Sequence, residues 1–134
     1  MDFELRRRER EGVVIYDLKG RLIGGEPVQL LRETLSQAVQ AGTRSIILNL
    51  AETDYIDSSG LGALVIAYTT LKKQGGALKL LNLSKRDIEL LVVTKLATIF
   101  EVFDDEQSAV NSFFPNREIK RFDILAFVQQ QKGS

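Results

Sequence analysis

Ile46-Ile47-Leu48-Asn49-Leu50 and, a short connection later, Asp57-Ser58-Ser59-Gly60-Leu61-Gly62 are the stretches on which the fold turns. The first is a compact run of β-formers, the pattern of a strand buried within a sheet. The second opens a helix expected over residues 58–74, in which Leu61, Leu64, Val65, Tyr68 and Leu71 recur at helical spacing and face the core. Two hydroxyls therefore stand at a helix N-terminus, on the loop that leaves the carboxyl end of a strand. α/β proteins concentrate functional groups at that position.

Toward the N-terminus, Phe3, Leu5 and Arg7 alternate with charges, and residues 13–18 are rich in β-formers. Glu11-Gly12 between them predicts a hairpin. Gly20 and Gly24-Gly25 interrupt the pattern. Pro27 suits the first turn of a helix that continues through Val28, Leu31, Leu35, Ala38 and Val39 and stops at Gly42. A strand over residues 45–50 and a loop over 51–57 follow.

Beyond the central helix, Gln74-Gly75-Gly76 ends it and residues 77–81 form another strand. Ser84 with Asp87 resembles a capping box opening a helix with Ile88, Leu91 and Val92. Residues 99–103 read as a strand and 104–114 as a helix with acids at its N-terminus. The order ββαβαβαβα predicts an α/β fold with a mostly parallel, mixed sheet of about five strands and flanking helices. Pro115 separates a domain over residues 1–114 from an extension over 115–134. In that extension Ile119, Phe122, Leu125 and Ala126 fit a helix, while Phe122, Ile124, Ala126 and Val128 fit a strand; both stay open. The polar end, residues 129–134, is expected to be mobile.

Composition narrows the function. Eighteen basic and eighteen acidic residues cancel, so no global field draws nucleic acid or an anionic membrane. The basic cluster Arg6-Arg7-Arg8 with Arg10 is interleaved with Glu4, Glu9 and Glu11 and has no aromatic platform. The chain has no cysteine and no histidine, which excludes disulfides, thiolate chemistry and Ser-His-Asp machinery and argues against a transition-metal site. No signal-like or membrane-length apolar run occurs, so a cytoplasmic protein without membrane insertion is expected. Neither a cofactor, a metal nor a catalytic residue is expected.

Asp57 and Ser58 are ordinary helix caps if nothing else distinguishes them. Their setting adds a resemblance. The element order, the motif Asp57-Ser58-Ser59-Gly60-Leu61-Gly62 after its strand, and Lys72-Lys73-Gln74-Gly75-Gly76 before the next strand make residues 3–114 similar to a STAS domain, and within that family to bacterial anti-sigma factor antagonists. The resemblance implies a regulatory protein rather than an enzyme. It implies phosphorylation at Ser58 by an anti-sigma factor that is a serine kinase, binding to that kinase when unphosphorylated, and resetting by a serine phosphatase. Asp57, Ser59 and Gly60 then support the motif. Asp57 orients the loop, and Ser59 is bonded to nearby backbone rather than modified. A docking surface is expected at Leu61, Gly62, Ala63, Ile66 and Thr70, with burial of Ile66 under the neighbouring helix as the competing reading. The family pattern has an acidic residue just after Gly-x-Leu; here Gly20-Arg21-Leu22 leads into Ile23, and the nearest acid is Glu26.

Two other functions compete. Glu26, Glu52, Asp54 and Asp57 would form a magnesium site if they converged, as in response receivers. Alternatively, an unphosphorylated STAS scaffold would serve a sensory or membrane-transport complex, its tail acting as a contact or supporting a homodimer.

Overall fold

β1 (Phe3–Arg10) and β2 (Val13–Leu22) pair antiparallel around Glu11-Gly12, whose φ angles of 53° and 84° are those of a tight two-residue hairpin turn. The computed structural model describes residues 2–133. It continues with α1 (Glu26–Gln40), β3 (Ser45–Ile56), α2 (Ser58–Lys73), β4 (Ala77–Leu81), α3 (Lys85–Val93), β5 (Val102–Phe103), α4 (Glu106–Asn111) and α5 (Ile124–Gly133). The five strands lie in chain order, and β2 to β5 are parallel. The α/β, mostly parallel mixed sheet with flanking helices is as the periodicity predicts.

Several boundaries differ from the sequence reading. Gly20 does not end β2. It sits in the strand at φ 104°, facing Phe3, where any Cβ would strike the Asp2 carbonyl. Residues 51–56 are strand rather than loop, because β2 runs on beside them through two register shifts, from Lys19 opposite Glu52 to Leu22 opposite Ile56. β4 pairs with β3 only as far as Asn49, so this extension is paired on one side. β5 is two residues long; Leu96 turns the chain by accepting from Ile99 N at 3.0 Å. α4 begins later than expected, where Asp105 accepts from Ser108 N at 2.9 Å. The tail forms a helix, and residues 129–133 belong to it; Ser134, the last of the segment expected to be mobile, lies outside the described residues, as does Met1.

The sheet divides two cores. On one face α1, α2 and α3 bring Leu31, Leu35, Leu64, Leu71 and Leu91 against Ile46, Leu48 and Leu50. On the other, α4 covers Ile15, Ile47 and Phe103 with Ala109 and Val110. The extension leaves α4, donates Lys120 N to Ser108 Oγ at 3.1 Å, and lays Phe122 and Ile124 against the first core. Arg8 bonds Asp17 at 2.8 Å and Glu106 at 2.5 Å, and Arg10 reaches Glu106 at 2.7 Å. Part of the basic cluster is thus spent holding α4 to the hairpin.

Candidate functional site

Asp57 closes β3 and caps α2. Its extended backbone ends the strand, and its Oδ1 accepts from Gly60 N at 2.8 Å. Its Oδ2 accepts from Gly24 N at 3.0 Å, across the β2–α1 connection. Its own N–H donates to Leu22 O at 3.2 Å. One carboxylate therefore ties two loops together at the carboxyl end of the sheet. The Gly24 and Gly60 amides hold it below the usual carboxylate range. By residue type alone Gly24 is only a break in the pattern; a Gly-Gly pair at the end of an apolar strand, just before a proline-led helix, is the signal that marks this close approach.

Gly60 is buried, and a Cβ there would run into the Leu22 carbonyl, whereas a Cβ on Gly62 would meet nothing within 4 Å. The first glycine lets α2 start hard against β2, and the second leaves an open surface.

Ser58, the first residue of α2, is exposed. Ser59 is exposed too and leans toward Gly24, where a Cβ would stand 3.1 Å from its Oγ. The expected bond from Ser59 to nearby backbone is not formed; among the described residues the loop's side-chain hydrogen bonds run through Asp57.

The residues assigned to docking separate. Leu61 is buried, 8% exposed, inside the larger core, because it begins the core-facing stripe; it offers no surface to a partner. Ala63 is also buried, at 4%, but forms the floor of a groove between α1 and α2. Ile66 is 49% exposed and does not pack under α1. Gly62 and Thr70 are exposed as well. A depression of about 620 Å³ beside Gly24, Ser59 and Gly62 joins a second of about 390 Å³ reaching Thr70, the two sharing Arg32, Ala63 and Ile66. A continuous groove thus runs from the serine loop along α1 and α2. The carboxylates of the magnesium reading do not assemble: Asp57 is engaged in capping, Glu52 approaches Lys19 at 4.0 Å, and no group of three such ligands occurs among the described residues.

The STAS domain model matches residues 4–109. The chain belongs to the STAS domain family. It is 32% identical over 111 residues to the anti-sigma-B factor antagonist of Bacillus subtilis (strain 168), covering 82% of this chain and 99% of that one. Among solved structures it is similar to the Bacillus cell fate determinant SpoIIAA in its phosphorylated form, with 25% identity, a TM-score of 0.65, and coverage of 84% and 99%. The unphosphorylated form of the anti-sigma factor antagonist SpoIIAA gives 25% identity, a TM-score of 0.62, and coverage of 83% and 96%. The STAS match ends inside α4, so the extension lies beyond it. Among the described residues no helix is long and apolar enough to cross a membrane.

Proposed function

We propose that this STAS chain is an anti-sigma factor antagonist that binds an anti-sigma factor serine kinase and is released from it by phosphorylation at Ser58, a serine phosphatase restoring the binding form. Its relatives carry the antagonist name, and SpoIIAA exists in phosphorylated and unphosphorylated forms. The observation that carries the reading is an exposed serine opening α2 beside a carboxylate fully engaged with backbone amides. On this reading the chain is substrate and ligand, not catalyst.

A phosphate on Ser58 adds about −1.5 to −2 charges near neutral pH. Within the chain, the α2 N-terminus favours that charge while Asp57 opposes it, so the fold changes little. At a partner's surface, each like-charge pair near 4 Å costs about 1 kcal/mol in water and about 4 at a surface dielectric near 20. A single partner carboxylate facing the phosphate lowers affinity by tenfold for each ~1.4 kcal/mol. The modification acts on docking.

Incubation with the cell's anti-sigma factor kinase and ATP, followed by peptide mass spectrometry, tests the assignment. Phosphate on Ser58, its loss in Ser58→Ala, and at least about tenfold weaker kinase binding by Ser58→Glu are expected. Phosphate on Ser59 alone would overturn the site.

A further inference from the structure

Arg21 at the end of β2, Tyr55 near the end of β3 and Arg86 in the first turn of α3 meet from three elements. The Arg86 guanidinium lies 4.4 Å and that of Arg21 5.5 Å from the centroid of the Tyr55 ring. Arg21 and Tyr55 are register partners across β2 and β3. Because β4 follows β3 no further than Asn49, Tyr55 has no strand on its other side.

Both arginines are exposed, and among the described residues neither has a carboxylate within 4.0 Å. Arg8, Arg10 and Arg117 are each paired to an acid, whereas Arg21 and Arg86 share one aromatic ring instead. Arg86 and Lys85 also occupy the end of α3 where the helix dipole disfavours cations. Asp87 beside them is turned inward, its Oδ2 buried without a hydrogen-bond partner. A guanidinium held over a ring keeps its planar edge of N–H donors free for a carboxylate. Asp57, two residues beyond Tyr55, is engaged by the Gly24 and Gly60 amides rather than by either arginine.

We propose that Arg21, Tyr55 and Arg86 form a receptor for a short acidic segment of a protein partner, at the end of the sheet that carries the Asp57–Ser58 loop. The seat stands whether or not Ser58 is modified, and it widens the partner footprint from α2 across β3 to α3.

Titration of isotope-labelled protein with hexaglutamate, followed by NMR, tests it. Saturable shifts centred on Arg21, Tyr55 and Arg86 are expected, with affinity falling about tenfold in the double variant Arg21→Glu/Arg86→Glu, the order expected when two surface charge pairs are lost and reversed. Tyr55→Leu keeps the charges but releases the guanidiniums, and should weaken binding severalfold. Lys73→Glu, an exposed control at the last residue of α2 with the same change of charge per site, should leave the local shifts intact. Equal losses in Lys73→Glu and in the single variant Arg86→Glu, or displacement of hexaglutamate by a thymidylate oligonucleotide of the same charge, would overturn the proposal.

Discussion

Gly60 and Gly62 are two residues apart on one helix, yet the structure assigns them opposite tolerances. Alanine at Gly60 must push against the Leu22 carbonyl and should lower the melting temperature markedly, by about 1–3 kcal/mol of overpacking cost. Alanine at Gly62 meets open space and should raise stability by up to about 1 kcal/mol through helix propensity alone. Thermal unfolding of the two variants separates close approach from mere sequence pattern. Asp57→Ala removes both the α2 cap and the tie to Gly24, so a loss of about 0.5–2 kcal/mol is expected, whereas Ser58→Ala should be nearly silent in the same assay. A cap at Ser58 would show the reverse order. The amide pairing was not legible from residue types, since Gly24 and Asp57 lie far apart in the chain and only the register of β2 against β3 brings them together.

At the scale of elements, α4 is short and depends on its partners. Glu106 in its first turn receives Arg8 and Arg10, and this pairing holds its carboxyl down to about 2, against 4.5 when free. A carboxylate depressed on folding contributes stability fully above the unfolded value. That contribution declines as pH falls below about 4.5 and is gone below about 2. Glu106→Gln should therefore cost about 1 kcal/mol at neutral pH, solvent screening included, and should flatten the acid limb of the stability curve between those limits. Urea titrations across that pH range check both points. At the other end of α4, Lys79 rises from β4 almost buried, bonds Ser112 O at 3.1 Å and Oγ at 2.8 Å, and meets Glu101 at 3.1 Å under the Phe113 ring. Lys79→Met keeps the stem but leaves the Ser112 carbonyl unmatched, and a loss of about 1–3 kcal/mol is expected by denaturant unfolding. Neither clamp was visible in periodicity, because each joins charges that are remote in the chain.

Across the whole molecule, the extension starts at α4 on one face of the sheet and lays Phe122 and Ile124 against the core of the other. Removing residues 115–134 should leave a folded domain, since the STAS match stops at residue 109, but one weakened by about 1–3 kcal/mol as Phe122 and Ile124 are lost from the core. Scanning calorimetry measures that drop; an unchanged melting temperature would show that the extension adds no stability. The sequence by itself determined the order of strands and helices, the start of α2, the Asp57 and Ser84 caps and the two apolar stripes of α1 and α2. These are local quantities, set by spacing and by side chains within a turn of one another. Only the tertiary structure decided that β3 extends to Ile56, that Leu61 is core while Ile66 is surface, that α5 is a helix, and that Arg8 is spent on Glu106 while Arg21 and Arg86 remain free. Each of those depends on which distant backbone or charge arrives alongside, a free energy that no window of neighbouring residues contains.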